Sequence, residues 1–290
     1  MGAKSRAASL VWERFGDPAM YLEPFCGSAA VLLARPIVGK HEVINDFDCM
    51  VANFWRAARW APVLLAQKAT SLPPCELTLT ARHRAMYEAQ GSLAATLAAK
   101  EDAYDIELAA SWVWALNLWI GKGFMTPKGA YRSQMPRVSG RNGIHAMTED
   151  EAISLISAIS CRLRQTAILH GDWKRLVAPS FTDRGNVAVF LDPPYADGDF
   201  TYAGVGKDAG VNLTAEVTAW AIAHPEIKIC VAGYEGTTKF PAGWEEVPWT
   251  ATGGLANTGD GDSAGSKNRF RERLWFSPAC LRPAATGFEF

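Results

Sequence analysis

Cysteine pairs at metal-ligand spacing are missing from this chain. Cys26, Cys49, Cys75, Cys161, Cys230 and Cys280 stand apart, with no C-x-x-C and no histidine at ligand distance. That scatter argues against a zinc site and a disulfide framework, so reduced, mostly buried thiols are expected. The sequence also has no run of about eighteen apolar residues, the minimum for a spanning helix. Its opening Met1-Gly2-Ala3-Lys4-Ser5-Arg6 carries no apolar stretch of the kind a secretory signal needs, and a cytoplasmic protein is the expectation. His41, His83, His145, His170 and His224 form no catalytic grouping, and surface or satisfied buried roles follow for them, with His145 the one candidate for a polymer contact. Neither sign of charge is in excess, since 29 basic residues face 30 acidic ones. A neutral total does not exclude a polyanionic partner, because a local basic face suffices for one.

What is present is a chain of 290 residues, 49% apolar, long enough for one large α/β domain with an insertion or for two modest domains. Four apolar runs end in polar or turn residues and read as buried parallel strands. They are Met20–Phe25 before Cys26-Gly27-Ser28, Glu42–Ile44 before Asn45-Asp46, Val187–Leu191 before Asp192-Pro193-Pro194-Tyr195, and Ile227–Ala232 before Gly233-Tyr234. Helical stretches between them, including Ala29–Leu33, Met50–Arg59 and Ala215–Ala223, make the pattern βαβ and the sheet largely parallel. In such sheets ligands bind beyond the carboxyl ends of the strands, where all four polar endings sit. A weaker strand at Thr166–Leu169 leads into Gly171-Asp172-Trp173, and Glu245–Ala251 with Arg271–Phe276 suggests an antiparallel pair closing the sheet. Between the second and third of the four strong strands lies an insertion. It holds an apolar helix over Ile106–Ile120 with Trp112, Trp114 and Trp119, a Gly-, Pro- and Arg-rich loop over Gly121–Gly143, and an amphipathic helix over Glu149–Leu163. The tryptophan helix fits either an exposed interface or the core of the insertion. A loop of that length is usually functional or disordered.

Asp192-Pro193-Pro194-Tyr195, set directly after an apolar strand, is the strongest chemical signal. An aromatic amine is a poor nucleophile because its lone pair is delocalised into the ring. A carboxylate accepting one N–H, with a backbone carbonyl accepting the other, localises that pair and aims it at an electrophilic methyl group. Asp192 and the Pro193 carbonyl are placed for these roles, consecutive prolines hold them rigidly, and Tyr195 is available to stack on the ring. The plainer alternative is a strand-ending Pro-Pro turn. Glu23-Pro24-Phe25-Cys26-Gly27-Ser28 supplies a glycine turn where backbone approaches a cofactor closely. About twenty residues further on, Asn45-Asp46 offers an acid either to a ribose diol or as a helix N-cap. Asp172 has the same two readings. No G-x-G-x-x-G fingerprint is present, so a cofactor without a pyrophosphate fits better than a dinucleotide.

In this order the motifs resemble those of the Dam-type adenine-specific DNA methyltransferases, above all their phage and prophage members. The likeness continues through Asn53–Ala57, Ala81–Arg84, Trp112–Gly121, Gly233–Glu235 and Asn268–Pro278, nearly the whole chain. The resemblance implies a class I methyltransferase (Rossmann-like) mixed seven-stranded sheet with a mainly helical target-recognition insertion. Residues 1–59 and 164–290 would form the S-adenosylmethionine-binding catalytic domain, and residues 60–163 the DNA-binding insertion. It also implies a cofactor site of Glu23, Pro24, Phe25, Cys26, Gly27, Ser28, Asn45, Asp46, Gly171, Asp172 and Trp173, with S-adenosyl-L-homocysteine as product and no metal. Members usually open with an aromatic-x-Gly-Gly-Lys segment. Here Gly2-Ala3-Lys4 lacks the aromatic and the second glycine, so Lys4 is a site residue by likeness alone.

The substrate so implied is double-stranded DNA with its adenine flipped out of the stack. Candidate phosphate and base contacts are Arg82 and Arg84, then Lys122, Arg132, Arg137 and Arg141 along the long loop, then Lys267, Asn268, Arg269 and Arg271. On a strand Arg269, Arg271 and Arg273 share one face. A palindromic target would be met by a monomer acting twice or by a homodimer. Two alternatives stay open: an N4-cytosine methyltransferase, which the same tetrapeptide serves, and a catalytically inactive DNA-binding regulator.

Overall fold

The computed structural model describes residues 5–100, 102–120, 123–137, 143–194, 207–249 and 271–283. Its elements run α1 (Ser5–Phe15), β1 (Met20–Glu23), α2 (Ala30–Leu33), β2 (His41–Asp46), α3 (Cys49–Trp60), α4 (Pro62–Thr70), α5 (Glu76–Ala98), α6 (Ile106–Leu118), α7 (Pro127–Ala130), α8 (Glu149–Arg162), β3 (Thr166–His170), α9 (Pro179–Thr182), β4 (Val187–Leu191), α10 (Lys207–Ala223), β5 (Lys228–Tyr234), β6 (Glu245–Pro248) and β7 (Glu272–Phe276). Short 3-10 turns occupy Ile144–Ala146 and Trp173–Arg175. One seven-stranded sheet orders the strands β3-β2-β1-β4-β5-β7-β6. β1 pairs in parallel with β2 and β4, and β4 with β5, while β7 runs antiparallel to both β5 and β6. The mixed α/β sheet expected from the sequence is therefore the fold.

The chain forms two units. The first comprises Met1–Asn45, Asp172–Ala196 and Val211–Phe290. Its core is the central sheet: β1 and β4 are buried at every position, as continuous apolar strands covered on both faces must be. Tyr21, Leu22, Phe190 and Phe276 are fully enclosed there, with Phe15 of α1 among them. The Tyr21 hydroxyl donates to the Glu23 carboxylate at 2.8 Å. Burial, and then Glu23, push that phenol well above its usual range, so it remains a donor.

The second unit, Asp46–Gly171 and Asp197–Gly210, is mostly helical. Asp105 caps α6 by accepting from the Leu108 amide, and Asn53 exchanges two hydrogen bonds with the Asp105 backbone, at 2.8 Å each. Thr148 and Glu151 close a capping box at the start of α8. The tryptophans of α6 and its C-cap are core rather than interface: Trp112 and Trp114 of the helix and Trp119 just after it are all buried, and the Trp114 indole donates to the Leu72 carbonyl. The Gly121–Gly143 stretch is not wholly a loop, because Thr126 caps the single turn of α7 within it. Among the described residues no helix is long and apolar enough to cross a membrane. All six cysteines are free, four of them buried, with Cys75 half-buried and Cys161 exposed.

Candidate active site

β1 ends on a carboxylate that the fold has already oriented. Glu23 is 2% exposed and accepts from the Tyr21 hydroxyl and, at 3.2 Å, from the Leu32 amide of α2. The chain then turns through Pro24-Phe25-Cys26-Gly27-Ser28. Asn45, at the end of β2, fixes this turn from beside it. Its side-chain amide donates to the Pro24 carbonyl at 3.0 Å, and its own carbonyl accepts the Cys26 amide at 2.9 Å. Gly27 has φ +42° and Ala29 φ +46°, a left-handed pair that swings the backbone into α2. A Cβ on Gly27 would meet no atom within 4 Å, so the turn faces open space. Phe25 and Cys26 are buried and Ser28 is exposed. Phe25 packs on Trp173 with ring centroids 5.9 Å apart, and Trp173 meets Trp220 of α10 edge-on at 6.3 Å.

Asp172 lies in the same unit. It is exposed, and its Oδ1 accepts from the Lys174 amide at 2.9 Å, capping the 3-10 turn. The capping role weighed for it is therefore real for one carboxylate oxygen.

For Asp46, which opens the second unit, the capping reading fails. The residue that caps α3 is Asp48, accepting from the Met50 amide at 2.8 Å. Asp46 is 2% exposed, and its Oδ1 accepts from the Asp48 amide at 3.0 Å. Its carbonyl accepts the Gly171 amide, also at 3.0 Å. The next residue, Phe47, keeps 51% of its surface exposed, an apolar ring beside an oriented acid that sequence reasoning did not single out. A burial pattern that switches from enclosed to open at one residue was the missing signal.

Asp192, Pro193 and Pro194 continue β4, and β4 pairs in parallel register with β1 through Met20↔Val187, Tyr21↔Ala188 and Leu22↔Val189. The carboxyl ends of the two strands therefore stand side by side. Pro193 is buried, and the Pro194 carbonyl accepts from Thr214 Oγ1 of α10 at 3.0 Å. Thr214 is another residue the sequence did not flag. Tyr195 lies outside the described residues, as do Lys4, Lys122, Arg141, Lys267, Asn268 and Arg269.

The remaining basic candidates behave differently from one another. Arg82 is half-buried and turned inward, donating to Ser111 Oγ at 2.7 Å with Glu107 at 3.7 Å. His83 is buried and belongs to no basic cluster. Arg84 is exposed and lies 5.5 Å over the ring of Tyr131, itself 60% exposed and 6.1 Å from Tyr87. Arg132 is exposed, bonds Gln134 Oε1 and lies 5.7 Å over Trp119. Arg137 is half-buried, and its backbone is tied to the Leu118 carbonyl. Arg271 sits 5.6 Å over Tyr234. Arg273 is paired with both Glu235 and Glu246, which offsets its own charge. Among the described residues no group of three or more His, Cys, Asp or Glu could hold a metal ion.

A mixed sheet with an acid-flanked glycine turn and an Asp-Pro-Pro motif at adjacent strand ends is the frame of a class I methyltransferase. Residues 1–209 match the family model of the D12 class N6 adenine-specific DNA methyltransferases, and the chain belongs to that family. It is thus an enzyme that methylates adenine in DNA, and the cytosine alternative finds no support. No curated protein matches the chain.

Proposed function

We propose that the methyl donor is S-adenosylmethionine, held at the strand ends by Glu23, Pro24–Ser28, Asn45, Asp46 and Gly171–Trp173. The donor group's chemistry is an electrophilic methyl on a sulfonium. A cofactor with a sulfonium, an ammonium, a ribose diol and no phosphate suits these residues, because the turn is open at Gly27 and the residues named include the carboxylates of Glu23, Asp46 and Asp172 and no cation. Asp46, its carboxylate oriented by the Asp48 amide, would accept from the ribose hydroxyls, and Phe47 would cover the cofactor's adenine. Asp172 retains a second oxygen for the adenine amine.

The observation that carries the reading is the side-by-side ending of β1 and β4, which sets the glycine turn next to Asp192-Pro193-Pro194. Asp192 would accept one N–H of the target amine and the Pro193 carbonyl the other, holding the lone pair toward the methyl group. Tyr195 would stack on the flipped base. The proton leaves the amine after methylation, when it has become acidic, and no covalent enzyme intermediate is required. Residues 60–163 would bind the duplex, with Arg84, Arg132 and Arg137 as phosphate or base contacts and Tyr131 as a further stacking ring. Lys122, Arg141, Lys267, Asn268, Arg269 and Arg271 are proposed for the same role, and Arg82 for the indirect one of bracing α5 against α6.

Two substitutions separate the parts. Asp46→Ala removes charge-assisted hydrogen bonds and is expected to weaken S-adenosylhomocysteine binding about 10- to 100-fold. Calorimetric titration measures this, and unchanged affinity would remove Asp46 from the site. Thr214→Val frees the Pro194 carbonyl and is expected to lower kcat about fivefold, roughly the worth of one neutral hydrogen bond. Transfer of labelled methyl groups into DNA, followed by digestion to nucleosides and detection of N6-methyladenine, reads the activity itself.

A further inference from the structure

Within the second unit, a buried histidine is built into the base of the segment that carries the loop arginines. His83 is 1% exposed, and its Nε2 accepts the Met125 amide at 2.8 Å. Its ring forms a three-ring cluster with Trp119, at 4.2 Å between centroids, and Phe124, at 5.3 Å, themselves 5.5 Å apart. Arg132 reaches over Trp119.

The backbone around this contact is specialised. Met125 has φ +57°, a left-handed conformation that a non-glycine residue adopts only when its surroundings impose it. Thr126 Oγ1 donates to the Gly123 carbonyl at 2.9 Å and accepts the Gly129 amide at 3.2 Å. Gly129 must be glycine, since a Cβ there would lie 1.8 Å from the Gly123 oxygen and 3.3 Å from His83 Cε1. From this knot the chain runs directly to Tyr131, Arg132 and, through Gln134, to Arg137. The Gln134 amide is held by Thr80 of α5, three residues before His83.

Because Nε2 accepts, a neutral ring must carry its proton on Nδ1, and a second proton would set donor against donor at Met125. Burial pushes the imidazole down to about 4. The Gly129 backbone opposes this and the Arg132 charge assists it. The aromatic Trp119 and Phe124 also lie against the ring.

We propose that His83 is a positioning residue for DNA recognition: its neutral imidazole latches the Met125 amide and fixes the segment bearing Tyr131, Arg132 and Arg137. The inference rests on the reading that this segment contacts DNA.

The test uses His83→Phe, which keeps a stacking ring and loses the acceptor, in the full-length enzyme. The expected result is a KM for DNA raised about tenfold, the cost of one buried donor left unpaired, with kcat and S-adenosylhomocysteine affinity near wild type. His83→Gln restores an acceptor and is expected to recover part of that loss, which a merely space-filling role would not predict. Arg132→Ala serves as the control. If it raises the KM for DNA while His83→Phe does not, the latch is wrong. If neither changes it, the segment does not contact DNA and the underlying reading fails instead. Should His83→Phe not fold, hydrogen exchange at the Met125 amide of the wild-type enzyme decides: strong protection supports the latch, and exchange at the rate of an open loop overturns it.

Discussion

Asp192→Ala is expected to lower methyl transfer by about 10³-fold, with S-adenosylhomocysteine affinity within about twofold of wild type. The size follows from the job proposed for the carboxylate. An exocyclic amine at neutral pH offers little nucleophilicity, and a fixed acceptor on one N–H concentrates its lone pair without having to reorganise during transfer. That acceptor is only as good as its rigidity, and the local structure supplies it: β4 is buried along its length, Pro193 is buried behind it, and Thr214 of α10 grips the Pro194 carbonyl. Asp192→Asn should lose less, about 10²-fold, because the amide oxygen still accepts but without charge. Single-turnover transfer of a labelled methyl group separates the chemical step from product release. An alanine variant that methylated DNA at a rate comparable to wild type would sink the assignment, and one that no longer bound S-adenosylhomocysteine would move Asp192 into the cofactor site.

The strands were legible because they obey a simple rule. Val187–Leu191 is five apolar residues stopped by Asp-Pro-Pro, and β4 has those same ends. β6 starts at Glu245, as the alternating pattern suggested, and pairs with β7 up to Pro248, and the Trp249 amide still donates to the Glu272 carbonyl at 3.3 Å. The helix α5 was the larger omission, and its buried residues explain why. Leu79, His83, Met86, Leu93 and Leu97 face inward, so one position of an otherwise apolar stripe is a histidine flanked by arginines. Read as a string, Arg82-His83-Arg84 is a basic cluster. On a helix the three residues point about 100° apart, one to Ser111, one into the core and one over Tyr131.

The candidate site divides in the same way. Glu23, Gly27, Asn45, Asp46 and Asp192 were readable because strand-end motifs are local in sequence. Phe47, Thr214 and Tyr131 were not, because each acquires its place only from burial or from a partner distant along the chain. The neutral net charge was equally uninformative, since pairs such as Arg273 with Glu235 and Glu246 cancel locally while Arg84 and Arg132 remain at the surface.

Arg35→Ala is expected to destabilise the fold by about 3–5 kcal/mol, because it strands a carboxylate that has no access to water. Arg35 and Glu42 are 6% and 2% exposed, joined at 3.0 Å. The guanidinium also donates to the Pro18 carbonyl at 2.8 Å and lies 5.1 Å over the Trp12 ring, and Glu42 accepts the Gly39 amide at 3.1 Å. Gly39 leaves no room for a side chain, since a Cβ there would fall 1.8 Å from the Arg35 guanidinium. Removing Arg35 takes away the countercharge of a carboxylate that is itself shut away from water, which weakens the native state. The double variant Arg35→Met with Glu42→Leu should recover most but not all of the loss. An apolar pair replaces buried charge at little cost, yet the Pro18 carbonyl and Gly39 amide still lack their partners. The pair sits at the start of β2, the end of the strand opposite Asn45 and Asp46. Methyl transfer per folded molecule should therefore stay unchanged in both variants. Urea unfolding measures the stability term and activity corrected for folded fraction the other. A loss below about 1 kcal/mol in Arg35→Ala would mean that Glu42 finds water once its partner is gone.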